Sequence, residues 1–182
     1  MKIIMVRHGE TDGNLKRIML GQRIDEPLNS AGLKQAAVAA EKLASIPIGK
    51  IFASPLMRTR QTAEIIAGTI GIPISFRDEL KERDFGTLSG KKWDDLKSPK
   101  KGWAGKLIQQ DRDQKYDYRP WGGESVEDVK ARLKHIFSEL KEMEDTALLV
   151  THAGILRLTY HLLTAEKNVA RFANASIHEF NL

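Results

Sequence analysis

Two fully apolar segments of the chain, Ile3–Val6 and Ala147–Val150, are each followed within two residues by a histidine. The first segment leads into Arg7-His8 and the second into Thr151-His152. Apolar runs of this length, separated by segments with helical periodicity, predict buried strands of a parallel sheet that helices cover on both faces. Because parallel strands end at one edge of a sheet, we expect the two imidazoles to converge although 144 positions separate them (152 − 8). The competing interpretation of Arg7-His8 is a capped strand end with a solvated arginine.

The rest of the chain alternates between helical and strand-like patterns, which predicts an α/β fold. Segments with apolar residues at helical spacing predict helices at about 30–46, 54–70 and 124–144 and from about 155 onward. Shorter apolar segments predict strands at 48–53, 72–76 and 176–182, the last at an edge of the sheet. Ser30 and Ser54 are the expected N-caps, with Pro55 at the first helical position and Gly71 ending that helix. We therefore predict a three-layer α/β/α sandwich with a mostly parallel sheet.

Residues 90–121 differ from the rest because they are polar, contain several prolines and glycines, and show little periodicity. A short helix is expected near Trp93–Leu96. We predict that this segment is a small lid-like insertion over one end of the sheet, within a single domain that spans residues 1–182.

The composition limits which catalytic groups and metal sites the chain can contain. The chain has no cysteine, which excludes thiolate nucleophiles and cysteine-based metal sites, and no histidine spacing is typical of a metal site, so we expect neither metal nor cofactor. The N-terminus lacks a secretory pattern and no apolar run is long enough to span a bilayer, so we expect a cytoplasmic protein without a membrane partner.

The net charge of +5 favours anionic partners, either a small phosphorylated metabolite or nucleic acid. The lysine cluster at Lys97–Lys101, with Trp93 and Trp103 nearby, is the best candidate for a nucleic-acid patch. We expect an exposed loop there and no nucleic-acid binding, because a cluster that a proline interrupts is typical of a solvated loop.

Arg58 lies in the predicted first turn of a helix that follows a strand, at the same edge of the sheet as the two histidines. A helix N-terminus already attracts anions, and acidic residues are usual there. Arg7 and Arg58 can each bind phosphate oxygens through two N–H groups, which lysine cannot do. The pattern therefore predicts a phosphate site, and the alternative is a surface arginine with no function.

Several stretches occur together in the order typical of one family. They are Arg7-His8-Gly9-Glu10-Thr11 with Asn14, Pro27-Leu28, Ser54-Pro55-Leu56 with Arg58, Leu80-Lys81-Glu82 with Phe85-Gly86, Gly122-Gly123-Glu124-Ser125, Thr151-His152-Ala153-Gly154 and Asn174-Ala175-Ser176-Ile177. On these residues the chain resembles the histidine phosphatase superfamily, the phosphoglycerate-mutase-like enzymes. The resemblance implies a phosphohistidine mechanism on the predicted fold.

The resemblance also implies roles. His8 would be the nucleophile, which must be neutral to attack, and the neighbouring cations would help by lowering its pKa. Arg7, Arg58 and His152, the last as a protonated donor, would hold the phosphate oxygens. Glu82 would protonate the leaving oxygen and then activate water, whereas Glu10 is expected to be structural and Asp84 is a weaker candidate for the acid.

Further substrate contacts are expected from the amide of Asn14, from Gly21 and from the backbone N–H groups of Ala153 and Gly154. Leu20 departs from the family, in which a small polar side chain often precedes the glycine that matches Gly21. The phosphate therefore either loses one hydrogen bond or gains one from Gln22.

Hydrolysis of a phosphomonoester is the expected reaction, in the branch that resembles α-ribazole phosphatases and broad-specificity phosphatases. The segment from Glu82 to His152 spans 70 positions (152 − 82), and the segment after His152 has 30 residues (182 − 152). Both segments are shorter than their counterparts in the mutases of the family. The alternatives are a bisphosphoglycerate-dependent phosphoglycerate mutase and a non-catalytic anion-binding relative. The physiological substrate, among α-ribazole phosphate, sugar phosphates and phosphoserine, and the oligomeric state stay open.

Overall fold

The fold is built around one mixed sheet. In residues 1–96, 102–164 and 172–182, which the computed structural model describes, the sheet has five strands: β1 (Lys2–Arg7), β2 (Ile48–Ala53), β3 (Ile74–Phe76), β4 (Thr146–Thr151) and β5 (Ile177–Asn181). Their order is β3-β2-β4-β1-β5, with β5 antiparallel to β1 and the other pairs parallel. The predicted edge strand and the mostly parallel sheet are therefore confirmed.

Helices cover both faces of this sheet. The described helices are α1 (Asp12–Leu15), α2 (Ser30–Leu43), α3 (Met57–Ile70), α4 (Trp93–Leu96), α5 (Gly102–Arg112), α6 (Val126–Lys141) and α7 (Ala153–Leu163), with short 3-10 turns at Asp78–Leu80, Gly86–Leu88 and Arg119–Trp121. Within the described ranges, none of them is both long and apolar enough to cross a membrane.

Alternation along β1 separates the core into two layers. Ile4 and Val6 pack with α2 and α3, whereas Ile3 and Met5 pack with α6 and α7 on the opposite face, and all four side chains are fully buried. Each such side chain contributes roughly 1.5–3 kcal/mol when it leaves water. A strand buried on both faces has no polar position to spare, which explains its continuous apolar sequence and confirms the predicted three layers.

Register aligns the ends of the central strands. Val6 pairs with Val150 on one side of β4, and Ala53 pairs with the same Val150 on the other side. The chain segments that follow β1, β2 and β4 therefore leave the sheet at one edge, as the sequence predicted.

Two predicted N-caps are wrong. The cap of α2 is Asn29, whose side chain accepts a hydrogen bond from the Gly32 N–H at 2.8 Å. Helix α3 begins at Met57 after Leu56, which caps it without a side-chain hydrogen bond, so Ser54 is free for another partner. The predicted end at Gly71 is confirmed, because this residue has a φ of 75°, the left-handed conformation that favours glycine.

Other boundaries shift by two or three residues. The long helix α6 starts after Ser125, whose capping box with Asp128 leaves Glu124 outside the helix. Strand β3 starts at Ile74 rather than at residue 72, because Pro73 has no N–H to donate to a neighbouring strand.

The described part of the predicted insertion at residues 90–121 carries two α-helices, of which α4 was expected and α5 was not. Leu96, Ala104 and Leu107 are buried, and they join the core layer of α6. The lysine cluster Lys97–Lys101 lies outside the described residues. The prediction of one domain over residues 1–182 stays a prediction.

Candidate active site

A cavity of about 760 Å³ opens where β1, β2 and β4 end. Arg7 and His8 reach it from β1, Arg58 from the start of α3 and Ala153 from the start of α7, and Glu82 lines it from the loop before the second 3-10 turn. Side chains far apart in sequence thus meet because the strands are parallel.

His8 is held in one tautomer. Its Nδ1 lies 2.7 Å from the Gly9 carbonyl oxygen, and because a carbonyl can only accept, Nδ1 carries the proton and Nε2 keeps its lone pair. The Gly9 N–H in turn donates to the Thr62 hydroxyl at 3.1 Å, which donates to the Arg58 carbonyl at 2.8 Å. The first turn of α3 therefore fixes the orientation of the imidazole.

The charge state of His8 suits a nucleophile. Burial, followed by the positive charges of Arg58 and Arg7, lowers its pKa well below 6.5, although the Gly9 carbonyl opposes the shift. The imidazole is therefore neutral at pH 7, as the sequence predicted.

The two arginines are anchored by backbone carbonyls and still have donors to spare. Arg7 Nη1 donates to Phe172 at 2.6 Å, and Arg58 donates to Gly21 at 2.8 Å and to Ile24 at 3.1 Å. Within the described part of the chain, the buried Nε atoms of both arginines have no hydrogen-bond partner. Burial lowers the pKa of Arg7 to about 10 despite the attraction of Glu82. Two cations with open donors, Arg58 buried and Arg7 half-buried, form a site for a doubly charged anion.

His152 packs against His8, with ring centroids 5.2 Å apart, and does not line the cavity itself. Its Nε2 lies 2.9 Å from the Ser54 hydroxyl, which is the role that Ser54 takes instead of capping a helix. Nδ1 is buried and has no partner in the described ranges. If Nε2 accepts the Ser54 proton, Nδ1 carries its own proton and can donate it.

The surroundings of His152 oppose the expected protonated state. Burial, followed by the positive charge of Arg58, lowers its pKa well below 6.5, so the imidazole is neutral at pH 7. The cations that were expected to share a phosphate with it repel its proton when no anion is present.

Glu82, whose side chain is 12% exposed, accepts two backbone hydrogen bonds, from Arg83 at 2.9 Å and from Gly154 at 3.0 Å. Burial alone would raise the pKa of its carboxyl, but Arg83, these two N–H groups and Arg58 together lower it. The Gly154 N–H is therefore committed to Glu82, and its predicted contact with phosphate is wrong. Ala153 does line the cavity, at the first position of α7, where an N–H has no intrahelical partner.

Of the other predicted substrate contacts, the structure places Asn14 and Gly21 at the cavity and Gln22 away from it. Asn14 lines the cavity, and its Oδ1 accepts from the Thr11 N–H and from Asn174 Nδ2, so the remaining Nδ2 is the group available to a phosphate. Gly21 lines the cavity and anchors Arg58. Gln22 does not line it, because its amide donates to Glu124 at 3.0 Å.

The remaining acidic candidates have other partners. Glu10 lines the cavity but accepts from Asn29 at 3.0 Å, in line with a structural role. Asp84 pairs with Arg23 at 2.7 Å and lies outside the cavity. Among residues 1–96, 102–164 and 172–182, no cluster of three potential metal ligands exists.

Sequence reasoning missed a second group of charges, which consists of Arg83, Asp111 and Arg157. Arg83 is buried between Glu82 and Asp111, and Arg157 reaches Asp111 at 3.5 Å. A signal for Arg157 was present, because it follows Ala153 by four residues and so lies on the same face of a helix. No local pattern marks Asp111.

This arrangement defines a class of protein: an α/β protein with two buried histidines, two arginines and a glutamate at one anion-binding cavity. The profile of the "histidine phosphatase superfamily (branch 1)" matches residues 3–182, and the chain belongs to this superfamily. The expected family is therefore confirmed, together with its fold.

Relatives and solved structures agree with this membership. The "probable phosphoglycerate mutase GpmB" of Salmonella paratyphi A is 36% identical over 154 residues, which cover 84% of this chain and 69% of that protein. A mycobacterial glucosyl-3-phosphoglycerate phosphatase in complex with vanadate (VO3) has a TM-score of 0.85 and 29% identity, over 98% of this chain and 91% of that one. A phosphoglycerate mutase from Thermus thermophilus has a TM-score of 0.74 and 31% identity, over 98% and 92%.

The names of these relatives include both mutases and a phosphatase. Superfamily membership therefore makes this chain an enzyme of the phosphatase or mutase type.

Proposed function

We propose that this protein hydrolyses a phosphomonoester of a small metabolite through a phosphohistidine on His8. The observation that carries the proposal is the tautomer of His8, whose Nδ1 proton is held by Gly9 so that Nε2 presents a lone pair. That lone pair lies in a cavity where Arg7 and Arg58 offer unused donors. A buried, neutral nucleophile beside two arginine cations suits attack on a dianionic phosphate.

In the first step the His8 Nε2 lone pair forms the bond to phosphorus and the bond from phosphorus to the ester oxygen breaks. Arg7 and Arg58 neutralise the phosphate oxygens, with further donors from Asn14 and Ala153, which line the cavity. The leaving oxygen takes a proton from Glu82.

Its surroundings lower the pKa of the Glu82 carboxyl, so the carboxylate must gain that proton before it can donate it. A bound phosphate dianion places negative charge beside the carboxylate and raises its pKa, and the carboxyl then takes up a proton. In the second step water attacks phosphorus and gives its proton back to Glu82, the bond to Nε2 breaks, and phosphate leaves.

We further propose that the reaction needs no metal ion. Support comes from the residue types in the cavity, which supply positive charge through arginine.

Mutase activity is the second candidate, because two of the compared proteins are named phosphoglycerate mutases. It would use the same phosphohistidine but return the phosphoryl group to a second hydroxyl. The phosphatase is preferred because the described insertion is small and the cavity stays open to water.

The test is release of phosphate from a panel of phosphomonoesters, without added metal and with chelator. The panel contains p-nitrophenyl phosphate, sugar phosphates, 3-phosphoglycerate, phosphoserine and α-ribazole phosphate. His8→Ala should abolish release, and the matched His135→Ala should not, since His135 is exposed and pairs with Glu79 at 2.9 Å. Acid-labile, base-stable phosphate should accumulate on the wild-type chain alone.

Isomerisation of 3-phosphoglycerate that depends on 2,3-bisphosphoglycerate and exceeds phosphate release would replace the hydrolase with the mutase. Full activity of His8→Ala would exclude both.

A further inference from the structure

Arg157 is a cavity-lining cation that the proposed mechanism does not use. It extends from α7 and has 23% of its side chain exposed. Its one hydrogen bond to the described residues joins Nη1 to Asp111 Oδ2 at 3.5 Å, the long limit for such a bond. The other guanidinium donors, Nε and Nη2, therefore lack an acceptor from the described chain and are available to a ligand in the cavity.

Asp111 is a weak counterion for Arg157 because stronger partners occupy it. Its Oδ1 accepts from buried Arg83, in a short ion pair, and from the Tyr118 hydroxyl at 2.7 Å. Both close donors are on Oδ1, whereas Arg157 meets Oδ2 only at the long distance of 3.5 Å and shares the carboxylate's charge with them. Arg157 thus keeps most of its capacity to bind an anion.

Arg157 lies on the side of the cavity where the leaving group of the substrate is expected. In the proposed mechanism the ester oxygen lies beside Glu82, so the rest of the substrate extends from there. Arg83 follows Glu82 and contacts it at 3.4 Å, and the same Arg83 joins Asp111, which joins Arg157. The chain of contacts leads from the proton donor to Arg157 along one wall of the cavity.

The other cations that line the cavity differ from Arg157 in their burial, their partners or their position. Arg7 and Arg58 lie beside His8, and Arg83 is buried between Glu82 and Asp111. Arg17 pairs with Asp94 at 2.9 Å, and Arg112, at the end of α5, is exposed. Arg157 combines partial burial, open donors and a place on the leaving-group side.

We propose that Arg157 is a second anion subsite, and that the preferred substrate carries a carboxylate or a second phosphate on its leaving group. This inference rests on the proposed function for the direction of the leaving group. The planar guanidinium would bind either group through two parallel N–H donors.

The experiment compares kcat/KM for three types of substrate in wild type, Arg157→Met and Arg157→Lys. They are glycerol 3-phosphate, with a neutral leaving group, 3-phosphoglycerate, with a carboxylate, and 1,3-propanediol bisphosphate, with a second phosphate. Wild type should prefer at least one anionic substrate over glycerol 3-phosphate. Arg157→Met should lower kcat/KM for it by about 10- to 100-fold relative to glycerol 3-phosphate. Arg157→Lys should recover part of the loss, since it restores charge without the paired donors.

The control is Arg119→Met, an exposed arginine outside the cavity that pairs with Asp117 at 2.8 Å, and it should leave the ratio unchanged. A fall for 3-phosphoglycerate alone assigns a carboxylate, and a fall for the bisphosphate alone assigns a phosphate. No preference in wild type, or equal losses on all three substrates, would overturn the subsite.

Measurements of substrate binding test this inference independently of the proposed hydrolysis. Calorimetry with His8→Ala, which cannot form the phosphohistidine, should show tighter binding of an anionic substrate than of glycerol 3-phosphate, and loss of that difference in His8→Ala/Arg157→Met. If no substrate is hydrolysed but this difference is found, the hydrolase fails and the subsite stands. If the difference is absent while hydrolysis proceeds, the subsite alone fails.

Discussion

Arg132 on α6 is expected to hold the loop that carries Glu82, and its removal should impair both stability and proton transfer. Its guanidinium donates to the Glu79 carbonyl at 2.5 Å, to the Glu82 carbonyl at 3.2 Å, and to both oxygens of Glu124 at 3.0 and 3.2 Å. Glu124 also accepts from the Asp84 N–H at 2.9 Å, so the loop is bound at both ends to one ion pair.

The cost of Arg132→Met can be estimated from these contacts. Methionine keeps the apolar stem, so the loss is confined to the polar head. Hydrogen bonds to charged groups contribute about 1.5–3 kcal/mol each, and removal of one partner of a buried pair costs about 3–5 kcal/mol. The side chains of Arg132 and Glu124 are 16% and 21% exposed and Glu124 keeps other donors, so we expect a loss of about 3 kcal/mol.

A loss of this size should lower Tm by about 6–12 °C for a domain of this length. Urea unfolding measures it directly, with Lys130→Met as the control, because Lys130 is a neighbour on α6 that makes an exposed pair with Glu127 at 2.8 Å. A double-mutant cycle with Glu124→Gln should show a coupling energy of about 1–2 kcal/mol.

Proton transfer supplies the second readout. Displacement of Glu82 should slow hydrolysis of alkyl phosphates more than hydrolysis of p-nitrophenyl phosphate, whose leaving group needs little protonation. A free-energy change below about 1 kcal/mol, or equal slowing of both substrates, would refute the view that Arg132 positions the acid.

Three further predictions concern the site itself. Glu82→Gln should slow hydrolysis of alkyl phosphates by about 10²–10⁴ and that of p-nitrophenyl phosphate far less, and equal losses would move the acid elsewhere. Gly154→Ala should show the same selectivity in steady-state assays, because its Cβ would overlap the Glu82 carboxylate, whereas Gly105→Ala, with no atom within 4 Å, should be neutral. Burial lowers the pKa of His8 and His152 well below 6.5, so below pH 6.5 the unfolded chain binds protons that the folded chain excludes. Stability in urea should therefore fall on acidification, by up to about 1.4 kcal/mol per pH unit for each histidine, and a flat profile between about pH 7 and 5.5 would contradict it.

The sequence predicts well those features that depend only on the residues of one short segment. An apolar run such as Ile3–Val6 has no low-energy exposed state, so its burial follows from composition alone. The meeting of His8 and His152 follows from parallel strands, and the end of α3 follows from the backbone freedom of Gly71.

The features that sequence did not predict depend on partners far along the chain. Ser54 has a residue type typical of an N-cap, but its hydroxyl pairs with His152, which lies 98 positions away. Gln22 turns to Glu124, 102 positions away, for the same reason. The neutral state of the His152 imidazole also depends on its burial beside cations from distant parts of the chain. A local sequence pattern does not show that burial.

The position of β4 has a consequence for how the chain acquires activity as it is made. This strand lies between β1 and β2, so before residues 146–151 emerge the two earlier strands have unpaired edges and no sheet joins them. Arg7 likewise awaits the carbonyl of Phe172, 165 positions later. Pairing over such separations makes folding slow and leaves open strand edges exposed meanwhile. A nascent chain should therefore depend on protection of β1 until most of its length has been synthesised.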